Sequence, residues 1–380
     1  MSNFIPVFEP LLDGNEKLYV EECFKNGWIA QNGPFTKKLE EEFSKYCKQK
    51  YGTCVANGSA ALDLAVRAMK EVYNWEDNSE ILVPSFNIIS AAQSCLYSNL
   101  QPVFVDSEAE TWNIDVSKIE QHITEKTRAI VVVHIYGLPS KMNEIIEIAK
   151  KYDLKIIEDA AQAHGQTYNN RICGSFGDIT AFSFFINKNV ACGEGGIVLA
   201  SDERLIEKVK YYKNLCFGCD KFVHQDLGWN YRMTDIQAAI AYAQFEKLDK
   251  TIEKKKYIGN FYRNLLKDIP AKISLEKTEY AENHYWAFGV VIGEDIDMTA
   301  KEAMAFLGEK NIGTRPFFFP MHKQPIFEKM GILDNCERPV SEMLYKKGFY
   351  IPTGLNLTDD KLEYVASSVS LLFNSFKKSV

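Results

Sequence analysis

The chain has 380 residues, of which 46% are hydrophobic and 25% charged, and its formal net charge is −7. This length predicts two or three domains around a large core, and the composition argues against long disordered regions. The acidic charge gives no reason to expect nucleic acid or a membrane surface as a partner. Neither a transmembrane run nor a signal-peptide pattern is found, so we expect a cytoplasmic protein.

Nine cysteines are scattered along the chain, and Cys216 and Cys219 form its only CxxC pair. A second pair at zinc-ribbon spacing is missing, so we expect no metal site. Reduced thiols in a cytosolic enzyme are the simplest explanation of the cysteines.

The first half of the chain alternates helical and apolar strand patterns. Helices are predicted at 14–48, around a turn-rich loop at 27–34, and near 86–92, 116–123 and 141–152. Strands are predicted near 54–56, 81–84, 102–106, 129–134 and 155–159. Nearly continuous apolar strands separated by helices predict a parallel sheet that is covered on both faces.

A strand, a tight turn and a helix start follow one another at residues 54–62. Backbone N–H groups at a helix N-terminus bind anions, and Gly58 lets a phosphate approach closely. The alternative is that Asn57 or Ser59 only caps the helix. The segment is therefore a candidate phosphate site.

Asp159 ends the apolar strand at 155–159, and Lys188 lies between apolar runs at 181–186 and 197–200. The second pattern predicts two strands joined by a turn that carries the lysine. Desolvation there lowers the pKa of the amine and favours the neutral form that makes Schiff bases. A surface lysine in a hairpin loop is the alternative.

A carboxylate at a strand end, opposite a reactive lysine, suits pyridoxal 5′-phosphate (PLP). The lysine binds the aldehyde, and the aspartate pairs with the protonated pyridine nitrogen, which keeps the ring an electron sink. Asp159 taken alone is more often a helix N-cap. Lys188 and Asp159 together favour the cofactor and are our candidate catalytic residues.

The run SFFINKNVACGEGG, with EDAAQAHG before it and WNYRMTDIQAAI after it, resembles the DegT/StrS family of PLP-dependent sugar-nucleotide aminotransferases. The resemblance extends from about residue 5 to about residue 370. It implies the aspartate aminotransferase-like α/β fold (fold type I). We expect a large PLP-binding domain with a mostly parallel sheet between helices at 1–248, and a smaller α/β domain at 249–380.

The resemblance also implies roles for particular residues. It assigns the cofactor phosphate to Ser59, Ala60 and Ser183, and the phenolic oxygen to Gln162, which lies one helical turn after Asp159. Ser183 as a buried serine bonded to the backbone is the alternative.

Two further positions concern the cofactor ring and the quaternary structure. The family usually carries an aromatic residue at the position of Ile88, stacked on the pyridine ring, so here either Ile88 or Phe86 supports the ring. The family uses the residue at Asn230 to reach the PLP phosphate of the other subunit. The resemblance therefore implies a homodimer with shared active sites, whereas the simpler interpretation of Asn230 is a turn residue.

Beyond residue 246 the charge density rises, which predicts a solvated helix that leads to the C-terminal domain. A strand is predicted at 284–292, and helices near 299–310 and 359–376. The run TRPFFFPMH at 314–322 resembles a segment at the active-site mouth of the GDP-perosamine synthases, a branch of this family. Arg315 and His322 are therefore tentative substrate-binding residues, although each taken alone suits a structural role.

The resemblance implies amino transfer from L-glutamate to C4 of a nucleotide-linked 4-keto-6-deoxy sugar. The substrate we expect is GDP-4-keto-6-deoxymannose, giving GDP-perosamine for an O-antigen-like surface polysaccharide of lipopolysaccharide. A UDP- or dTDP-linked sugar is the alternative. A PLP-dependent sugar dehydratase is disfavoured because such relatives carry His in place of Lys188. A non-catalytic relative is also disfavoured, because it is expected to lack Lys188 or Asp159 and both are present. A nucleotide-binding P-loop protein is disfavoured because no P-loop motif occurs in the sequence.

Overall fold

The computed structural model describes residues 4–220, 222–333 and 336–377. The first three residues, part of the segment in which we expect no signal peptide, lie outside this description. The strands are β1 Tyr51–Val55, β2 Glu80–Pro84, β3 Gln101–Val105, β4 Thr127–Val133, β5 Lys155–Asp159, β6 Thr167–Tyr168, β7 Arg171–Ile172, β8 Ile179–Ser183, β9 Gly196–Ala200, β10 Ala271–Ile273, β11 Phe288–Ile292, β12 Arg315–Pro316 and β13 Gly348–Ile351.

The helices alternate with these strands through most of the chain. They are α1 Glu16–Asn26, α2 Pro34–Tyr46, α3 Gly58–Val72, α4 Ser90–Tyr97, α5 Met142–Lys151, α6 Glu203–Lys213, α7 Asp235–Glu246, α8 Leu248–Leu266, α9 Ala300–Glu309, α10 Pro325–Lys329, α11 Pro339–Lys347 and α12 Asp359–Lys377. In the part of the chain that is described, no helix combines the length and apolar character needed to cross a membrane.

A seven-stranded sheet forms the larger part of the molecule, in the order β1-β9-β8-β5-β4-β2-β3. The pairs from β8 to β3 are parallel, whereas β9 runs antiparallel to both of its neighbours. Alternate residues of β4 enter two different cores: Val131 joins the one that includes α3 and α6, and Ile130 joins the one that includes α2 and α7. Burial on both faces explains the continuous apolar strands and confirms the predicted mostly parallel sheet.

The C-terminal region contains a four-stranded antiparallel sheet, in the order β10-β11-β13-β12. Residues of α8, α9 and α12 share its core. The N-terminal segment packs against this region, because Ile5 pairs with Ile312 and the amide of Thr353 donates to the carbonyl of Val7 at 2.9 Å. The predicted domain boundary at residue 248 stays a prediction.

Three local predictions differ from the structure. The predicted helix near 116–123 is two 3₁₀ turns, Val116–Lys118 and Glu120–His122. The strand predicted at 284–292 begins only at Phe288, because Tyr285 has a φ of 50° and breaks the extended backbone before it. The helix after residue 246 is not solvated throughout, since Lys255 of α8 is buried.

Candidate active site

One edge of the main sheet collects the end of β1, the end of β5, the end of β8 and the start of β9. It does so because β5 and β8 run parallel, and β9 runs antiparallel to β8 and β1. A cavity of about 490 Å³ opens at this edge. Ligands of open α/β sheets bind at such an edge. The cavity is lined by Asn57, Gly58, Ser59, Leu62, Ile88, Ser90, Asp159, Ala161, Gln162, Ser183, Phe185, Asn187, Lys188, Glu194, Trp286, Phe318 and Tyr350.

Lys188 lies in the connection between β8 and β9, as predicted, and this connection is a twelve-residue loop (184–195). Its amide donates to the carbonyl of Phe185 at 2.9 Å, which closes a local turn. Burial lowers the pKa of the Lys188 amine to about 8, and the Asp159 carboxylate opposes this shift. Far more of the amine is therefore neutral near neutral pH than in an ordinary lysine, and the neutral form is the one that a nucleophile or general base requires.

Asp159 is the last residue of β5, and its carboxyl group lies in the same cavity. Its Oδ1 atom accepts a hydrogen bond from the amide of Ala161 at 3.1 Å. Burial raises the pKa of Asp159, although that amide and the Lys188 ammonium oppose the change. The carboxylate is thus positioned to be stabilised by a cationic ligand atom, as expected for a protonated pyridine nitrogen.

The segment at 57–60 forms a cradle at the N-terminus of α3. Asn57 caps the helix, because its side chain accepts from the amide of Ala60 at 2.9 Å, so the capping alternative is correct for this residue. A Cβ atom on Gly58 would lie only 2.6 Å from the Cβ atom of Ser183. Ser59 and Ser90 share a hydrogen bond of 2.8 Å between their hydroxyl groups. This hydroxyl-lined helix N-terminus fits a phosphate group.

The structure distinguishes the two candidates for the ring support. Ile88 is 49% exposed and lines the cavity. Phe86 is fully buried and packs instead against Tyr136, Phe317 and Phe318. The position of Ile88 therefore fits contact with a ligand ring better than that of Phe86.

Gln162 also lines the cavity, and its orientation is set by the backbone. Its Oε1 atom accepts a hydrogen bond from the amide of Tyr136 at 2.7 Å. The structure thus brings Gln162 together with Lys188, Asp159, Ser59 and Ser183, as the resemblance implied.

Other residues singled out from the sequence lie outside the cavity. Asn230 is exposed and pairs with Asn214 in an isolated bridge. Arg315 is exposed on β12, opposite Tyr350 of β13.

His322 is buried, and both of its ring nitrogens are hydrogen-bonded. Nδ1 lies 2.7 Å from Ser85 Oγ, and Nε2 lies 2.9 Å from Glu342 Oε1. These contacts fit the structural role for His322, and its contact with the sugar stays a prediction.

Sequence reasoning missed an aromatic wall that the C-terminal region adds to the cavity. Trp286, Phe318 and Tyr350 form it. Burial raises the pKa of Tyr350 to about 12, which keeps its hydroxyl group protonated, and the nearby Arg315 opposes this shift. Phe318 belongs to the unusual run at 314–322, which was the one available signal. Trp286 lies just before β11 and Tyr350 lies within β13, and the sequence around these short strands has no pattern that marks a binding site.

A second buried polar cluster lies beside the cavity and consists of His134, Glu158 and Cys173, whose potential ligand atoms are within 4.8 Å of one another. His134 Nδ1 accepts from the amide of Ser140 at 3.2 Å, which places the remaining proton of a neutral imidazole on Nε2. That nitrogen lies 3.1 Å from Glu158 Oε1. Both nitrogens are thus committed to protein partners, and the hydrogen bonds support a structural cluster.

The CxxC pair does not contribute to the cavity. Cys216 is buried and Cys219 is exposed, and both are free thiols. They border a surface cleft of about 800 Å³ between α6 and the following loop. This cleft contains neither Lys188 nor Asp159.

The comparison with protein families agrees with this geometry. A model described as the DegT/DnrJ/EryC1/StrS aminotransferase family matches residues 10–370. The GDP-perosamine synthase of Escherichia coli O157:H7 is 36% identical over 376 residues, which cover 98% of this chain and 99% of that protein. The dTDP-4-amino-4,6-dideoxy-D-glucose transaminase of Escherichia coli is 29% identical over 363 residues, covering 94% of this chain and 95% of that protein.

Solved structures support the fold. Helicobacter pylori PseC, an aminotransferase involved in the biosynthesis of pseudoaminic acid, matches with a TM-score of 0.92. The two chains are 23% identical, and the match covers 98% of this chain and 100% of PseC. A likeness at this identity shows the fold alone, and it confirms the predicted fold type I architecture.

Proposed function

The chain belongs to the DegT/DnrJ/EryC1/StrS aminotransferase family of PLP-dependent sugar aminotransferases, and from this premise we propose that its amino acceptor is a nucleotide-linked 4-keto-6-deoxy sugar. L-Glutamate is the proposed donor, and C4 of the sugar is the proposed position. One observation carries the proposal: a single cavity brings together the Lys188 amine, the Asp159 carboxylate and the cradle at the start of α3.

The residues of the cavity fit the cofactor from end to end. The cradle of Ser59, Ser183 and the start of α3 would hold the phosphate, Asp159 would hold the ring nitrogen, and Lys188 would hold the aldehyde. When bound there, PLP supplies an electron sink for chemistry at the carbon that bears the amino group. Asp159 supports that role because its carboxylate favours a positive charge on the ring nitrogen.

Lys188 also has a second role as a proton carrier. Its neutral amine accepts a proton from the donor carbon at Nζ, and the resulting ammonium group returns the proton within the same site. Burial keeps the pKa of the amine at about 8, close to the pH at which a general base works well. The aromatic wall of the C-terminal region gives this part of the cavity an apolar side that disfavours water.

GDP-4-keto-6-deoxymannose is the proposed sugar nucleotide, with GDP-perosamine as the product for an O-antigen-like surface polysaccharide. The 36% identity to a GDP-perosamine synthase, over nearly the full length of both chains, favours this substrate. A dTDP-linked keto sugar is the second candidate, because a dTDP-sugar transaminase is also similar along nearly the whole chain. A cytoplasmic location is part of the same proposal.

A homodimer with shared active sites is the proposed assembly. Two apolar side chains that line the cavity, Ile88 and Phe185, are exposed in the single chain, and Leu227 elsewhere is 89% exposed. Exposed apolar surface of this kind marks interaction sites. Asn230 follows Leu227 closely in the sequence and is also exposed. We propose that its side chain reaches the cofactor phosphate of the other subunit.

The first test is an absorbance spectrum of the purified protein with PLP, before and after L-glutamate is added. We expect the visible band of the lysine-bound cofactor to disappear with glutamate and to return when the correct keto sugar is added. GDP-4-keto-6-deoxymannose and its dTDP-linked counterpart should be compared, with mass spectrometry and NMR of the product. A 3-deoxy sugar would indicate a dehydratase instead.

Lys188→Ala is the matched control for that spectrum. It should form no lysine-bound band and no aminated product, while its circular dichroism stays unchanged. Full single-turnover conversion by this variant would contradict the assignment of Lys188.

The shared site is tested by co-expression of Lys188→Ala and Asn230→Ala chains with different tags. Each variant alone should be inactive or nearly so. A mixed dimer contains one site with Lys188 from one chain and Asn230 from the other, so activity should return in the doubly tagged fraction. No return of activity would indicate that Asn230 acts within its own chain or only in folding.

A further inference from the structure

The side chain of Lys188 rests against an aromatic face that comes from the C-terminal region. Its Nζ atom lies 4.2 Å from the centroid of the Trp286 ring. An ammonium group at this distance from an indole face is attracted by the ring quadrupole, and the attraction grows when water is excluded. The neutral amine gains much less from the same contact, so the indole discriminates between the two protonation states of Lys188.

Trp286 is held from several directions, so its position relative to Lys188 is defined. The indole N–H donates to the carbonyl of Asn187, the residue before Lys188, at 2.8 Å. The ring packs nearly parallel to Phe8 and Tyr136, with centroid distances of 5.5 and 6.0 Å. One hydrogen bond therefore links the indole to the loop that carries Lys188, and packing against Phe8 and Tyr136 holds the ring in place.

The backbone of Trp286 is anchored by the buried side chain of Lys255, whose pKa burial lowers to about 7. Lys255 Nζ donates to the carbonyl of Trp286 at 3.2 Å, and to the carbonyl and hydroxyl oxygens of Thr353 at 2.8 and 3.2 Å. The Thr353 hydroxyl also donates to the carbonyl of Trp286 at 3.2 Å. These acceptors satisfy the three N–H donors of the ammonium group, so Lys255 ties residue 286 to the segment after β13.

Few groups near Lys188 are able to stabilise a positive charge at Nζ. Among the described residues, the titratable groups that share its cavities or affect its charge are Asp159, His164, Glu9, Glu194, Lys255 and Tyr350. The carboxylates of Glu9 and Glu194 are exposed to solvent, which weakens their interaction with Nζ. Burial lowers the pKa of His164 to about 3, so its imidazole is neutral. The N–H groups of Lys255 are occupied by Trp286 and Thr353, and the Tyr350 hydroxyl stays protonated. In the proposed function Asp159 serves the ring nitrogen of the cofactor, which leaves the Trp286 face as a partner for the charged amine.

We propose that Trp286 is a positioning residue that holds and stabilises the ammonium form of Lys188 during proton transfer. This inference rests on the proposed function. In that step the C–H bond of the amino donor breaks and its proton forms an N–H bond at Nζ, while the cofactor, when bound, would take up the electron pair of the broken bond. The indole then holds the ammonium group beside the carbon that receives the proton back.

The proposal predicts the direction of a pKa change at Lys188. Since the indole favours the charged form, Trp286→Leu should lower the pKa of the Lys188 amine by roughly 0.5 to 1.5 units. Trp286→Phe should lower it by less, because a phenyl face attracts a cation more weakly. The pKa is measured on the full-length, cofactor-free chain from the pH dependence of Lys188 acetylation, followed by peptide mass spectrometry.

Trp112 provides the matched control. It packs edge-on against Tyr136 in the same aromatic cluster but does not line the cavity. Trp112→Leu should leave the pKa of Lys188 unchanged. An unchanged or raised pKa in Trp286→Leu, or an equal decrease in Trp112→Leu, would overturn the proposal, because the indole would then act only as a wall against water.

A second measurement uses Trp286→Phe if the leucine variant does not fold. The primary isotope effect with α-deuterated glutamate should increase in Trp286→Phe and stay at the wild-type value in Trp112→Phe, because proton transfer becomes more rate-limiting. An unchanged isotope effect in Trp286→Phe would contradict the role. If the wild-type chain binds no PLP and transfers no amine, the proposed function fails, whereas the acetylation result still decides whether Trp286 stabilises the ammonium form.

Discussion

Glu158 and Asp159 are adjacent carboxylates on β5, yet they face two different environments. Successive strand residues point to opposite faces of a sheet. Glu158 accepts from the amides of Gly174, Phe176 and Gly177 at 2.5 to 2.9 Å, and also contacts the Thr180 hydroxyl and His134. Asp159 faces the cavity and accepts from the amide of Ala161.

The pKa directions of the two carboxyl groups follow from this difference. Burial raises the pKa of Glu158, but the hydrogen bond from His134 and those from the loop amides outweigh it and leave the net pKa below its ordinary value. For Asp159 burial dominates, and the pKa is raised. A buried acid whose partners are all within the protein stabilises the fold. A buried acid that faces a cavity and has few protein partners is available to bind a ligand.

Asp159→Asn should have the largest effect, and that effect should be on activity. We expect amino transfer to fall on the order of 100-fold to 1000-fold, the range for removing one preorganised electrostatic partner. Half-reaction rates with L-glutamate measure the loss. The thermal midpoint should stay near the wild-type value, and a large drop in it would show that Asp159 is structural like Glu158.

Glu158→Gln should do the reverse and mainly reduce stability. The glutamine side chain would place its NH₂ group, which is a donor, against the backbone N–H donors of the loop, and the charged acceptor would be lost. The free energy of unfolding should therefore fall by about 3 kcal/mol. Chemical denaturation measures this change. Glu110→Gln is the control, because Glu110 forms an exposed pair with Lys272 and should contribute little. Equal stability of the two variants would contradict the assignment.

Thr180→Val should have a smaller effect on the same cluster. The substitution removes hydroxyl contacts of 3.2 Å to Glu158 Oε2 and 3.1 Å to the carbonyl of Gly174, at a cost of about 1 kcal/mol. In the Glu158→Gln background the same change should cost less, because neighbouring partners are not additive. Full additivity in denaturation experiments would show that the two side chains are not coupled.

The smallest effect should be an opposite pH dependence of stability. Glu158, with its lowered pKa, contributes stability above its unfolded-state pKa and loses it as pH falls through the folded-state pKa. Asp159, with its raised pKa, contributes stability at low pH and loses it as pH rises. Without cofactor, the benefit of Glu158 over Gln should therefore shrink towards acid pH, whereas Asp159→Asn should become relatively more stable towards neutral pH. Thermal midpoints from pH 4 to pH 8 measure both trends, and parallel trends would contradict the contrast.

Much of the fold and part of the site could be predicted from local patterns. The Asn57–Ala60 turn, the strand that ends at Asp159 and the segment around Lys188 are short and contiguous. Strand-to-helix turns and apolar periods place such residues at strand ends without knowledge of distant contacts. The parallel sheet follows from the same pattern, because continuous apolar strands need cover on both faces.

The tertiary structure alone decided which distant residues complete the cavity and which face each carboxylate takes. Trp286 and Tyr350 reach Lys188 through the packing of the C-terminal sheet against the main one, and Lys255 is buried because two backbone carbonyls and the Thr353 hydroxyl lie over α8. His322 bonds Ser85 and Glu342 and does not line the cavity. Such contacts depend on strand order and on the packing of elements far apart in the chain, which no local sequence pattern encodes.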